Sequence, residues 1–318
     1  GSAARMIFIN DAFSAAGMRR ENHNQTGCAC FSMNTMLETI TELSNRYGSD
    51  PSFVIAGGGN TSCKDRKTMW IKPSGTSLAT ITPSQFLPMS RQKLDGMFLA
   101  KYPAEAHARE QIVKQLTQDA VLPGHAGRPS VEAPMHNSFE QRYVVHTHPA
   151  LVNGMTCAKN GEAVCRTLFP DAIWLPFIDP GFMLSAAVRK ELVFYREKHK
   201  RNASLVFLQN HGVFVAADTP GEIDAIYARI VKTFKAAYRK AGVKTELQYG
   251  RLDGKTVMAC APKLRILASD GDRIAVTSSA PFAVAPEPLS PDHIVYTKSF
   301  PHRGAVTPAA LDAFAKAK

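Results

Sequence analysis

The spacing of apolar residues predicts a chain that mixes amphipathic helices with short buried strands. Apolar residues recur every three or four positions in long segments, which predicts helices over 32–47, 103–120, 183–199 and 222–240. Short apolar or alternating runs, bounded by glycine, proline or polar residues, predict strands over 53–56, 68–72, 144–148, 173–178, 204–210 and 213–216. Both kinds of element occur along the same stretch, which indicates one mixed folded region.

The two ends of the chain differ from this central region. Residues 1–31 are rich in Asn, Gly and small residues, and we predict that they are irregular. Residues 32–242 then form the folded domain. Residues 243–318 have weak periodicity, so we predict an extension that packs on the core of the same protomer or of a neighbour. Because the extension lacks a glycine-rich nucleotide loop and any cluster of His, Asp or Glu, we do not expect a second catalytic domain there.

Two histidines on one predicted strand suggest a metal site. Successive side chains of a strand alternate between faces, so His146 and His148 point the same way. His211, at the end of the strand over 204–210, offers a third imidazole. Neutral imidazole is the commonest zinc ligand, and a catalytic zinc takes three protein ligands and keeps one position open. The alternative is that the pair on the strand is merely partly exposed and binds nothing.

Two loops rich in glycine and hydroxyl groups are suited to binding an oxyanion. The first, residues 57–62, follows the predicted strand over 53–56, and the second, residues 73–77, follows the strand over 68–72. Glycines let backbone N–H groups approach an anion, so the two loops could converge on one phosphate. The alternative is a pair of tight turns between strands. A dinucleotide site is excluded because the G-x-G-x-x-G order is missing.

A carboxylate lies close before the histidine pair in the sequence. Glu132 stands between Pro129 and Pro134, which restrict the backbone around it. A glutamate is by default a surface charge. Beside a zinc ion it becomes a candidate general base.

Composition and charge limit the kinds of partner that we expect the protein to bind. The formal net charge is +11, but Lys and Arg are spread along the 318 residues without interleaved aromatic residues, so we expect anionic small substrates and no nucleic acid. No apolar run is long enough to cross a bilayer and there is no signal-peptide pattern, so we expect no membrane partner. The six cysteines contain no CxxC pair, which favours reduced thiols in a cytoplasmic protein.

A series of short motifs resembles a known family. The motifs are, in chain order, Gly59-Asn60-Thr61-Ser62, Lys72-Pro73-Ser74-Gly75, Pro129-Ser130-Val131-Glu132 with His136, His146-Thr147-His148-Pro149, and Asn210-His211-Gly212. Each is weak alone, but the series over roughly 33–240 resembles the zinc-dependent class II aldolase/adducin family. Within it the chain is most similar to the rhamnulose-1-phosphate aldolase module of bifunctional aldolase/dehydrogenases.

The resemblance implies a fold and a set of site residues. The fold would be α/β, with three α/β/α layers around a mainly antiparallel sheet, assembled as a homotetramer or another homo-oligomer. One Zn²⁺ per subunit, or another divalent metal, would be bound by His146, His148 and His211, with Glu132 as the catalytic carboxylate. The residues implied to bind phosphate or substrate are Gly59, Asn60, Ser74, Gly75 and Ser130.

The implied activity is cleavage of a ketose 1-phosphate, of the rhamnulose or fuculose type, through a metal-stabilised enediolate. The products would be dihydroxyacetone phosphate and an aldehyde. Alternatives are a decarboxylase or epimerase acting on a sugar phosphate or sugar acid, and a non-catalytic scaffold like adducin. Two positions depart from the family pattern: Val131 replaces a second serine, and Phe177 stands where a tyrosine proton donor is expected, a role that Tyr227 or Tyr238 could fill.

Overall fold

The structure is a computed structural model of the chain. It describes residues 33–245, 251, 253–268, 285, 287–297, 302 and 304–317. The prediction that 1–31 are irregular lies outside the described residues. The chain divides into two compact units. The larger comprises 30–241 and 289–296, and the described residues of the smaller lie within 242–288 and 297–318.

Helices and strands are interspersed along the larger unit. The strands are β1 (Asn60–Lys64), β2 (Thr68–Ile71), β3 (Leu87–Ser90), β4 (Tyr143–Thr147), β5 (Ile173–Leu175), β6 (Leu205–Leu208) and β7 (Gly212–Ala217). The helices of the described chain are α1 (Met33–Gly48), α2 (Arg91–Met97), α3 (Ala106–Asp119), α4 (Ala133–Ser138), α5 (Ala150–Thr156), α6 (Gly161–Leu168), α7 (Phe182–His199), α8 (Pro220–Lys240), α9 (Gly254–Ala268), α10 (Pro291–Thr297) and α11 (Pro308–Lys316). A short 3₁₀ helix covers Pro83–Gln85.

The strands form one seven-stranded sheet between two layers of helices. The strand order is β3-β2-β1-β4-β7-β6-β5, and every neighbouring pair is antiparallel except β5 and β6. Helices α1, α5, α6 and α8 pack on one face, and α2, α3, α4 and α7 pack on the other. The predicted α/β/α arrangement around a mainly antiparallel sheet is therefore confirmed.

Alternation along β4 assigns its side chains to the two layers. Tyr143 and Val145 belong to the core against α1 and α8, whereas Val144 belongs to the core against α4 and α7. All three are fully buried. Burying an aliphatic or aromatic side chain of this size contributes about 1.5–3 kcal/mol. The same alternation places His146 on the α4 face and Thr147 on the α8 face.

Helix α8 shows how the sequence fixes an element boundary. Thr219 caps its first turn by accepting a hydrogen bond from the Glu222 backbone N–H, and the Glu222 carboxylate accepts from the backbone N–H of Thr219. Pro220 occupies the first helical position, where its missing N–H is not needed. The apolar stripe ending at Phe234 is buried against the sheet, as the spacing predicts.

The strand predicted over 53–56 is wrong. Residues 51–59 form turns, and the strand begins only at Asn60. The apolar residues of the run are buried for another reason. Phe53 packs its ring edge-on against Tyr47 and Tyr227, and Val54 is buried in the same turn. The glycine-rich segment therefore leads into β1 and does not follow a strand.

The smaller unit contains helices that weak periodicity did not reveal. Cys260 and Leu264 of α9 form a small apolar cluster with Leu311 of α11. Pro262 lies inside α9, and proline normally ends a helix pattern, which explains why the spacing predicted none here. None of the helices in the described residues is long and apolar enough to cross a membrane.

Candidate metal centre

The register of the central strands brings the three histidines to one edge of the sheet. In the β1–β4 pair, Asn60 lies opposite His146, and in the β4–β7 pair His146 lies opposite Phe214. His148 follows the last residue of β4, and His211 immediately precedes β7. Residues distant in sequence therefore meet where these strands begin or end.

The histidine side chains converge through their Nε2 atoms. His146 Nε2 lies 2.9 Å from His148 Nε2 and 3.3 Å from His211 Nε2. The ligand atoms of all three lie within 4.8 Å of one another, and all three residues are buried. Tetrahedral coordination with bonds of about 2.0–2.1 Å places its ligand nitrogens roughly 3.3 Å apart. The cluster therefore has the size of a metal site.

Hydrogen bonds to the opposite ring nitrogens orient two of the rings. His146 Nδ1 donates to the backbone carbonyl of Val213 at 3.0 Å. His148 Nδ1 lies 2.8 Å from Oδ1 of Asp292. Because a carbonyl oxygen can only accept, the Nδ1 proton of His146 is fixed and the Nε2 lone pair faces its neighbours.

Burial disfavours the charged forms of His146 and His211. It lowers the pKa of His146 well below its ordinary value and the pKa of His211 to about 3. The neighbouring imidazoles lower both further, whereas Glu132 opposes the effect on His211. Neutral imidazole is the form that binds a metal.

Two neighbours restrict the space around the rings. The Phe214 ring stacks on His146 with centroids 3.9 Å apart and planes 13° apart. At Gly212, an added Cβ would lie 2.5 Å from the Thr147 carbonyl oxygen and 2.6 Å from Cδ2 of His148. Glycine is thus required beside His211 because its backbone packs directly against the histidine strand.

Glu132 points a carboxylate oxygen into the same space. Its Oε1 lies 3.4 Å from Nε2 of His146 and 3.4 Å from Nε2 of His211. This oxygen is buried, and no hydrogen-bond partner lies near it among the described residues. Oε1 faces the Nε2 lone pair of His146, and such a contact is unfavourable unless a cation lies between the two atoms. This orphaned oxygen shows that the residues present fit a metal ion.

A buried hydrogen-bond chain holds the other carboxylate oxygen. The Asn60 amide nitrogen donates to Glu132 Oε2, and Asn60 Oδ1 pairs with His136 Nε2. On the far side of that ring, Ser62 Oγ lies 2.8 Å from Nδ1. Since a carboxylate only accepts, the chain runs in one direction: His136 donates to Asn60, and Asn60 donates to Glu132.

His136 is a site residue to which sequence reasoning gave no role. It is fully buried, and burial lowers its pKa well below the ordinary value. The available signal was its position in the motif, one helical turn after Glu132 on the short helix α4. That spacing places the ring beneath the carboxylate it helps to hold.

Of the five residues predicted to bind phosphate, the three with polar side chains lie at or beside Glu132. Asn60 and Ser130 contact Glu132 directly: Ser130 Oγ accepts from the Glu132 backbone N–H at 3.2 Å and from the Asn60 amide at 3.3 Å. Ser74 lies beside them, donating from Oγ to the carbonyl of Pro129 at 3.2 Å. Both amide hydrogens of Asn60 are thus engaged inside the site.

The two glycines of this set have positive φ angles for different reasons. At Gly59 (φ +68°) an added Cβ would lie 2.7 Å from the His146 carbonyl oxygen, so the glycine permits close packing of β1 against β4. Gly75 (φ +86°) has open space around the Cβ position. It therefore serves a turn and leaves room beside the site.

Lys72 adds a buried positive charge that the motif contained but the prediction did not use. It follows the last residue of β2 and is 5% exposed. Burial lowers its pKa, and the Glu132 carboxylate opposes that shift. A cation near Glu132 could balance an anionic substrate group.

The two tyrosines considered as proton donors do not face the histidines. The Tyr227 hydroxyl lies 2.8 Å from Thr147 Oγ1, on the α8 face of the sheet, opposite His146. Tyr238 donates to the backbone carbonyl of Leu151 at 2.7 Å. Phe177 is 55% exposed. Within one chain, neither tyrosine is positioned to reach a substrate beside the histidines.

Comparison with known proteins places this site in a family. The family profile described as Class II Aldolase and Adducin N-terminal domain matches residues 38–238. The chain belongs to this family. The match contains all three histidines and Glu132 and ends before the segment 289–296. The resemblance drawn from the motifs is therefore confirmed.

Two relatives illustrate the extent of the similarity. The chain is 30% identical over 194 residues to "Uncharacterized oxidoreductase YuxG" of Bacillus subtilis (strain 168). The aligned region covers 58% of this chain and only 27% of that protein. The N-terminal class II aldolase domain of a conserved protein from Thermoplasma acidophilum superposes with a TM-score of 0.56 at 21% identity. That match covers 70% of this chain and 99% of the solved domain, and it supports the fold.

Proposed function

We propose that the chain is a zinc-dependent class II aldolase that cleaves a ketose 1-phosphate, of the rhamnulose or fuculose type. The products would be dihydroxyacetone phosphate and an aldehyde. The observation that carries the proposal is the convergence of three histidine Nε2 atoms with the unpartnered Oε1 of Glu132. Three imidazoles and a carboxylate form a ligand set that suits Zn²⁺. When bound, the ion would supply Lewis-acid stabilisation of negative charge developing on the substrate.

Glu132 is the group proposed to move a proton. Breaking the carbon–carbon bond of the ketose leaves an enediolate, and Glu132 would deliver a proton to its carbon; in the reverse direction it would remove that proton. The Asn60 amide holds Oε2, so only Oε1 is left for this exchange. A carboxylate fixed on one side by a hydrogen bond is kept in the orientation that proton transfer needs.

The surroundings of Glu132 support an anionic substrate. The loop at 73–75 follows β2 and lies at the same sheet edge as the start of β1, since Lys72 N–H bonds the Thr61 carbonyl at 3.0 Å. Buried Lys72 and the open backbone at Gly75 provide a positive charge and space. A phosphate bound there would be stabilised by both.

Oligomeric assembly is part of the proposal. The family resemblance implies a homotetramer with active sites at subunit interfaces. A neighbouring copy would then supply the group that takes the proton of the substrate hydroxyl as the aldehyde forms, and that returns it to the oxygen in the reverse direction. Light scattering after size-exclusion chromatography measures the assembly. A monomer with full activity would contradict this part.

The enzyme proposal is tested by metal analysis and a substrate panel on the same preparation. We expect about one Zn²⁺ per chain, and release of triose phosphate and an aldehyde from at least one ketose 1-phosphate. His148→Ala should lose the metal and the cleavage, whereas His125→Ala, a change at an exposed histidine, should lose neither. Full metal with carbon dioxide release from a β-keto or β-hydroxy acid would instead indicate a decarboxylase, and a metal-free protein would indicate a scaffold.

A further inference from the structure

A segment outside the family match lies on the metal centre. Residues 289–296, which contain most of α10, belong to the larger unit although they follow α8 by many residues. The Leu289 carbonyl accepts from the Asn210 amide at 3.0 Å and from Cys157 Sγ at 3.3 Å. Tyr296 hydrogen-bonds the backbone of Gly57. The segment is thus fixed at both ends to loops around the histidines.

Between these ends, the segment places one carboxylate against a histidine. Asp292 Oδ1 lies 2.8 Å from His148 Nδ1, and the two side chains are 13% and 8% exposed. An added Cβ on Gly58 would lie 3.1 Å from the same oxygen, so the glycine-rich turn leaves just enough room for it. The contact is close and largely shielded from water.

The hydrogen bond to Asp292 determines which ring nitrogen of His148 can bind a metal. A carboxylate accepts, so Nδ1 carries the proton, and Nε2, 2.9 Å from Nε2 of His146, presents its lone pair to the cluster. His146 obtains the same tautomer from the neutral carbonyl of Val213. A negatively charged acceptor holds the imidazole more strongly and raises its basicity as a ligand.

We propose that Asp292 is a positioning residue of the metal centre, which fixes the tautomer and orientation of His148 and thereby raises the affinity for the metal. This inference deepens the proposed function, and it rests on the part of that proposal that assigns the histidines to a metal. It means that the centre is completed by a residue beyond 38–238, the range that matches the family. A chain truncated after α8 would keep the three histidines and lose this acceptor.

The test compares metal affinities of the full-length protein without substrate. Metal-free protein is titrated with Zn²⁺ against a competing chelator. We expect Asp292→Ala to raise the Kd about 10–100-fold, the effect typical of removing such a partner. Asp292→Asn, whose amide oxygen can still accept from Nδ1 but carries no charge, should fall between Ala and the wild type.

A control separates the carboxylate from the docking of the segment. Tyr296→Phe removes the hydroxyl that contacts Gly57 but leaves Asp292 in place. We expect its Kd to stay within about twofold of the wild type, well inside the range that a lost partner produces. In ¹⁵N spectra of the metal-free protein, Asp292→Ala should shift His148 from the Nδ1–H tautomer towards a mixture, while Tyr296→Phe should not. If the docking of the segment 289–296 were all that mattered, both variants would change the Kd and the tautomer of His148 alike.

The outcomes distinguish this inference from the proposed function. If wild-type protein binds Zn²⁺ and Asp292→Ala binds it equally well, the inference is overturned and the proposed function stands. Equal weakening by Tyr296→Phe and Asp292→Ala would also overturn it, because docking would then be sufficient. If wild-type protein fails to bind Zn²⁺ at all, both are overturned. Binding without aldol cleavage, together with the expected order of Kd values, leaves the inference supported and the aldolase assignment refuted.

Discussion

Asn60 determines which oxygen of Glu132 faces the histidines. Its amide nitrogen donates to Oε2, so Oε1 is turned toward Nε2 of His146 and His211. His136 fixes the amide in turn by pairing with its oxygen. The position of the Glu132 carboxylate thus depends on a side chain that the sequence motif suggested for phosphate.

We expect Asn60→Ala to weaken metal binding by about 10–100-fold, because Glu132 loses the partner that orients it. The Kd for Zn²⁺ of the metal-free protein is the measurement. Asn45→Ala is a matched control, since its amide also donates two hydrogen bonds, here to the carbonyls of Leu78 and Ile81, away from the site. Both variants should lose stability, but only the first should lose affinity. Equal affinities would show that the orientation of Glu132 by Asn60 does not contribute to metal binding.

The histidine cluster could be predicted from sequence because its determinants are local. His146 and His148 share a face by the two-residue period of a strand, and His211 and Gly212 lie at a strand junction that short apolar runs locate. The order of motifs then identified the family and its sheet. Glu132 could be named from its motif, although its orientation through Asn60 and His136 could not.

Other features depend on long-range packing that leaves no pattern in the sequence. Asp292 and His148 are 144 residues apart, and no periodicity links them. Long-range packing also explains the wrong strand prediction at 53–56. Phe53 is partly buried because its ring packs against Tyr47 and Tyr227, and the residue does not pair in the sheet. A burial signal in a short run cannot distinguish these two causes.

We expect Gly212→Ala to disturb both the fold and the metal site. The added methyl group would meet the Thr147 carbonyl at 2.5 Å and the His148 ring at 2.6 Å. Forcing β7 away from β4 should destabilise the protein by about 1–3 kcal/mol. Chemical denaturation and Zn²⁺ titration measure the two effects. Gly221→Ala, where nothing lies within 4 Å of the Cβ position, is the control, and similar losses in both variants would contradict the argument.

Lys64 makes the stability of the fold depend on pH. Its Nζ donates to the carbonyls of His136 at 2.5 Å and Phe139 at 2.8 Å inside the core, and burial lowers the pKa of Lys64 to about 7. Between about pH 7 and the ordinary lysine value near 10.4, the unfolded chain therefore binds more protons than the folded one. Stability contributed by this residue should rise with pH across that window, by at most about 1.4 kcal/mol per pH unit.

The measurement is the free energy of unfolding of the wild type minus that of Lys64→Met, at several pH values between 6 and 10. Methionine has a similar length and does not titrate, so the other ionisable groups cancel. We expect this difference to become more favourable to the wild type above about pH 7 and to be flat below it. A difference that does not change with pH would show that Lys64 keeps an ordinary pKa.

Glu132→Gln tests the proton transfer itself. The glutamine oxygen can still accept from Asn60, which leaves an NH₂ group where Oε1 stood, and this group cannot take a proton. We expect turnover to fall by at least the roughly 10²–10⁴-fold typical of a general acid or base. The fold should be retained, because the replacement has the same size. Glu140→Gln, which alters an exposed ion pair with Arg196, should leave turnover unchanged.

Metal occupancy and proton exchange must be measured on the same Glu132→Gln sample, because Oε1 could act as a base or as a fourth metal ligand. A base that is lost leaves Zn²⁺ bound by the three histidines and abolishes exchange of the carbon-bound proton of dihydroxyacetone phosphate with deuterated solvent. A ligand that is lost lowers the occupancy as well, since Oε1 faces His146 and His211 at 3.4 Å. Adding Zn²⁺ to saturation separates the two: exchange that returns with the metal assigns Glu132 to binding alone. Exchange that stays absent at full occupancy assigns the proton transfer to Glu132.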